Sequence, residues 1–155
     1  MKTIIFVCSV LFFFSTSCKN KTEITDLQSD PVSEFDKASA IEIIEKRSRE
    51  FEEALIAGYS IAVGEIYTID TKIIPYVNGR DEIVGAAGSM IRKNSTLRLT
   101  IKELWGDNNI IIEDAYVEFF NKNGEITSKG DVLLVWKNEG DAWRIFRDVY
   151  KPEED

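Results

Sequence analysis

Residues 96–150 read TLRLTIKELWGDNNIIIEDAYVEFFNKNGEITSKGDVLLVWKNEGDAWRIFRDVY. Four β-rich runs stand in a row here: Leu97 to Trp105, Ile110 to Phe120, Ile126 to Lys137 and Trp143 to Tyr150. Leu97, Leu99 and Ile101 alternate with polar residues, as a strand with one buried face requires. The breaks between runs are Gly106-Asp107-Asn108-Asn109, Asn121-Lys122-Asn123-Gly124 and Asn138-Glu139-Gly140-Asp141. Such breaks are too short for a crossover, so consecutive strands are expected to pair antiparallel in one sheet.

Working upstream, the periodicity changes. Ile41, Ile44, Ser48, Phe51 and Leu55 recur at helical spacing with Glu45, Lys46, Arg49, Glu52 and Glu53 between them, which predicts an amphipathic helix of about five turns. Ser39 with Glu42 fits a capping box at its start, and Gly58 fits its stop. A short second helix is expected over Ile61 to Tyr67, a strand over Thr71 to Val77, a turn at Asn78-Gly79 and a third helix over Asp81 to Ile91. One sheet with its helices gathered on one face is an α+β layer.

The N-terminus is of a different kind. Lys2 precedes an apolar run from Ile4 to Phe14, broken only by Ser9; it has the length of a signal core and is too short to span a bilayer. Ser15-Thr16-Ser17-Cys18 follows and resembles the bacterial lipobox, with Ser15 where that motif usually has leucine. The resemblance implies that residues 1–17 are a signal peptide, that Cys18 is lipidated, and that the protein is exported and anchored to a bacterial membrane, on its periplasmic side or at the cell surface. The polar stretch 18–37 reads as a flexible tether, 38–150 as the folded domain and 151–155 as a charged tail.

Composition narrows the chemistry. With 19 basic and 27 acidic residues the chain carries a net charge of −8, which disfavours nucleic acid and anionic lipid headgroups as partners. The chain has no histidine, which removes the commonest general base and the Ser-His and Cys-His nucleophile pairs. Its two cysteines, Cys8 and Cys18, both precede the domain, so no disulfide or thiol chemistry is expected there; without histidine most zinc and iron sites are removed as well, and neither a metal nor a cofactor is expected. Catalysis would have to run on carboxylates, tyrosines, lysines or backbone dipoles.

Several short segments together look familiar: Phe51 to Gly58 (FEEALIAG), Ile66 to Asp70 (IYTID), Gly79 to Ile83 (GRDEI), Leu134 to Lys137 (LVWK), Trp143 to Ile145 (WRI), and Asp148. In order and spacing they resemble the nuclear transport factor 2-like superfamily, in its SnoaL-like branch of small stand-alone domains, over about Ile41 to Tyr150. The resemblance implies a cone: a curved antiparallel sheet of about five strands around a long N-terminal helix, three helices in all, and one pocket. Ketosteroid isomerase, dehydratases, polyketide cyclases and dimerisation modules share that fold, so it does not assign a function. Tyr59 stands where many relatives carry an acid after the first helix.

Within that frame the pocket candidates are Tyr67, Asp70, Asp148, Trp105, Tyr116 and Trp136. The resemblance puts Tyr67 and Asp70 near the pocket mouth, where they either hold a polar ligand group or serve as an apolar plug and a turn. Asp148 is either a pocket acid or base, or a structural acid paired with Arg80 or Arg147. The aromatic set, with Trp143, Tyr76 and Tyr150, fits core or dimer-face packing as well as a ligand cage. Glu113, Asp114 and Glu118 read as solvated strand faces. The leading expectation is a membrane-anchored domain that binds a small, partly apolar molecule or serves as an accessory module, as a homodimer. The rival is an isomerase, cyclase or dehydratase that uses carboxylate and tyrosine; a purely structural dimerisation module is the third reading.

Overall fold

The computed structural model describes residues 35–154. The signal, Cys18 and nearly all of the tether lie outside the described residues. Helix α1 (Lys37–Ala57) comes first, followed by α2 (Ser60–Glu65), β1 (Tyr67–Ile74), β2 (Val77–Asn78), α3 (Arg80–Arg92), β3 (Thr96–Gly106), β4 (Ile110–Phe120), β5 (Ile126–Asn138) and β6 (Trp143–Pro152). The order is the expected one except that β1 ends at Ile74 rather than Val77 and a short strand, β2, takes up Asn78 of the expected Asn78-Gly79 turn, which makes six strands rather than about five; three further differences lie at the edges. The cap of α1 is Asp36 rather than Ser39: its carboxylate accepts from the backbone N–H of Ala38 and Ser39 at 3.1 and 3.2 Å. Residues 36 and 37, assigned to the tether, therefore belong to the helix start, and β6 runs on into the supposed tail. Tyr67 opens β1 instead of closing the second helix. Gly58 ends α1 in the left-handed conformation at φ 82°, as its sequence position predicts.

The six strands form one sheet in the order β2-β1-β6-β5-β4-β3. The four C-terminal strands pair antiparallel as expected. β1 and β6, however, pair parallel, so the sheet is mixed. Two elements far apart in sequence meet there, and local pattern carries no signal for that pairing.

Register places two rows of side chains across the inner face. Leu104, Glu113, Leu134, Asp148 and Ile73 are successive cross-strand partners from β3 to β1. The adjacent row runs Ile111, Trp136, Ile145 and Tyr67. α1 packs along this face over β3, and α3 packs on α2 and β1. Ile44, Leu104, Ile111, Trp136 and Ile145 are all fully or almost fully buried and fill one end of the cone.

Two charged residues of α1 that look like solvent contacts in the sequence hold the edge strand. The Arg49 guanidinium donates to the Leu99 carbonyl at 2.9 Å, and Glu52 accepts from the Leu99 N–H at 2.9 Å. β3 is the last strand of the sheet, so its outward backbone groups would otherwise lack protein partners. At the other side, Gly64 lets α2 approach α3 closely: a Cβ there would stand 2.5 Å from Cγ2 of Val84.

Candidate functional site

The other end of the cone is not filled. Phe51 and Leu55 of α1, Val63 of α2, and Ile83, Ala86, Ala87 and Met90 of α3 face the inner side of the sheet across a cavity of about 190 Å³. The sheet contributes Leu97, Leu99, Val117, Phe119, Val132 and Leu134 among others. Three polar side chains line it: Tyr67, Asp148 and Tyr150. A groove lined by Ser89, Lys93, Ser95, Thr127 and Ser128 shares Ala86, Met90, Phe119 and Tyr150 with the cavity and marks its outer end. There the Tyr150 hydroxyl lies 2.6 Å from that of Ser128.

Asp148 sits at the inner end, in the same row as Leu134, and is only 8% exposed. Its Oδ2 accepts from the Tyr67 hydroxyl at 3.2 Å, and Oδ1 takes no hydrogen bond from the described residues. Loss of hydration pushes its carboxyl up to about 6, against the pull of the Tyr67 hydrogen bond. Tyr67 is buried beside that carboxylate, and both effects hold its hydroxyl protonated, well above the usual phenol range. Its ring meets Phe51 edge-on at 5.9 Å.

Behind this pair is a second carboxyl that sequence reasoning placed in solvent. Glu113 is 0% exposed. Its Oε2 accepts from the indole N–H of Trp136 at 2.6 Å, while Oε1 is buried without a partner. Burial pushes Glu113 up to about 7, and the negative charge of Asp148 adds to the rise. The signal was present: Ile111, Glu113, Ala115 and Val117 share one alternation phase and are all buried. Ile110, Ile112 and Tyr116 in the opposite phase obscured which face was inner. Asp114 and Glu118 do point the other way and are partly exposed.

The same fold is found in many solved structures. A cystatin-like-fold protein of unknown function from Nostoc punctiforme superposes with a TM-score of 0.66 at 11% identity, over 76% of this chain and 94% of that one. A protein of unknown function from Shewanella oneidensis, described as NTF-2 like, gives 0.63 at 21% identity over 72% and 98%. A ketosteroid isomerase-like protein from Erwinia carotovora gives 0.57 at 19% over 74% and 96%. The fold is the nuclear transport factor 2-like cone. No sequence profile of a known family matches the chain, and no curated protein matches it.

The nuclear transport factor 2-like cone brings together two of the six sequence candidates at its cavity, Tyr67 and Asp148, with Tyr67 buried at the inner end rather than near the mouth. Trp136 lies just behind them, fully buried, and acts on Glu113 rather than on the cavity. The other three are elsewhere. Asp70 is exposed on β1 and offers its backbone carbonyl to Arg147. Trp105 is 44% exposed near the end of β3. Tyr116 lies on the outer face of β4, where its hydroxyl donates to Glu153 at 2.7 Å. Neither arginine offered as a structural partner for Asp148 is bonded to it. Arg80 donates from Nε to the Tyr67 carbonyl at 3.0 Å, and Arg147 lies over the Phe146 ring at 3.5 Å. Among the described residues no group of three or more His, Cys, Asp or Glu is placed to hold a metal ion.

Proposed function

We propose that the protein is an exported domain, anchored to a bacterial membrane through a lipid on Cys18, that binds a small, largely apolar molecule in its cone. The observation that carries the binding reading is an apolar cavity with the carboxyl of Asp148 in its lining. Apolar walls with a few fixed polar groups are the usual make-up of a ligand site. A wholly apolar engineered cavity of roughly 150 Å³ takes up benzene, so about 190 Å³ suits a molecule of one substituted ring. Toluene is the simplest probe. It should shift the methyl NMR signals of Leu55, Val63, Ile83 and Leu134 saturably, and Ala87→Phe, which fills the space, should abolish the shifts. Unchanged methyl signals across a saturating titration would remove this reading.

A second reading is favoured by one observation. A carboxyl that titrates near 6, beside a neutral tyrosine hydroxyl, suits proton transfer at working pH. It supports an isomerase, cyclase or dehydratase reaction with Asp148 as base, held in place by the hydrogen bond it accepts from the Tyr67 hydroxyl. Turnover of an enolisable ketone that disappears in Asp148→Asn would establish it, and equal rates in the two proteins would exclude it.

A further inference from the structure

We propose, resting on the reading of the cone as a ligand site, that its ligand is a small organic cation: a primary amine on an apolar body of about one ring, with its ammonium on Asp148. The cavity holds an acid and no base. Asp148 is the one ionisable carboxyl among the lining residues, and no lysine, arginine or histidine is among them. Every residue that α1, α2 and α3 turn into the space is apolar. From β1 the Tyr67 hydroxyl faces Asp148, from β6 itself Tyr150 faces the same space, and from β4 Glu113 lies one strand beyond Leu134 in the same inner row. Both arginines that could have neutralised Asp148 are engaged elsewhere.

One carboxyl in the lining of an apolar space and a second behind it, with no cation among the lining residues and Lys93 only in the outer groove, leave a deficit of positive charge and of hydrogen-bond donors. Among the described residues Oδ1 of Asp148 takes no hydrogen bond, and Oε1 of Glu113 is buried and unpartnered. An anionic ligand would meet repulsion in a medium of low dielectric. A neutral alcohol would donate one hydrogen bond and leave the charge. An ammonium supplies three donors and the missing charge together, in charge-assisted bonds stronger than neutral ones. The chain's net charge of −8 favours the approach of a cation over that of an anion.

Benzylamine, benzyl alcohol and toluene share one ring and differ in the group offered to Asp148. Calorimetric titration of the full chain in mild detergent at about pH 8 should give benzylamine a dissociation constant lower than that of benzyl alcohol by about tenfold or more. At about pH 5 the amine remains charged while Asp148, raised to about 6, takes up its proton, so the margin should shrink. Asp148→Asn should abolish the margin and leave toluene binding in place. Glu113→Gln should weaken benzylamine a few-fold and spare toluene. Benzyl alcohol binding as tightly as benzylamine at pH 8, or a margin that survives both at pH 5 and in Asp148→Asn, would overturn the amine assignment alone. Should Asp148→Asn not fold, the two-pH comparison on the unaltered chain decides the matter. If none of the three probes binds, the ligand-site reading falls with it.

Discussion

Replacing Glu113 with glutamine keeps the shape of the side chain and removes its titration. Glu113 is fully buried and raised from 4.5 to about 7, so the folded state holds its proton more tightly than the unfolded chain does. For a raised carboxyl the folded protein loses stability as pH climbs from the unfolded value to the folded one, and the loss then levels off. Across that window the shift corresponds to about 3 kcal/mol, of which about 2–3 kcal/mol falls between pH 5 and pH 8. Glutamine can still accept from the Trp136 indole through its carbonyl. Its amide N–H groups gain no evident partner, a roughly constant cost of about 1–3 kcal/mol. The absolute effect of Glu113→Gln at one pH is therefore a small difference of two terms. Its change with pH is not, because the amide does not titrate. Urea unfolding followed by tryptophan fluorescence should show the variant gaining on the parent by about 2–3 kcal/mol between pH 5 and pH 8. A stability difference constant to within about half a kcal/mol over that range would mean that Glu113 ionises normally, and the account of a strained buried carboxyl would be wrong.

Tyr67→Phe removes the hydroxyl that donates to Asp148, so the Asp148 carboxyl should titrate above its present value of about 6, read from its side-chain ¹³C shift. The accompanying loss of about 1–3 kcal/mol should appear once the pH exceeds that value and fade below it, where the carboxyl is neutral; a loss independent of pH would contradict it. Gly64→Ala should cost about 1–3 kcal/mol by forcing α2 off Val84, with a matching drop in the thermal midpoint, whereas Gly85→Ala, with open space around it, should not destabilise. Cys18→Ala should abolish fatty-acid labelling and membrane retention in the bacterial host, and a variant that is still labelled would remove the anchoring proposal.

Local sequence determined the elements. Helical spacing from Ile41 to Leu55, the Gly58 stop and three polar turns after residue 106 act over a few residues, so helix α1 and strands β3 to β6 were legible from pattern alone. The absence of histidine was equally plain and excluded whole classes of chemistry before any fold was known. The order and spacing of several short segments then pointed to the cone. Tertiary structure alone decided which charges are solvated. Glu52 and Arg49 look alike in the sequence to Glu53 and Lys46, yet they close the backbone of an edge strand. Glu113 looks like Asp114 and Glu118, yet it is sealed behind Trp136. Asp148 was recognised as a candidate, but its partner was not, since Tyr67 reaches it only through the parallel pairing of β1 with β6. The physical reason is range. Helix periodicity, caps and turns are set by neighbours along the chain, whereas the hydration of a carboxylate is set by whatever packs over it, and here those groups come from residues as many as 81 positions away.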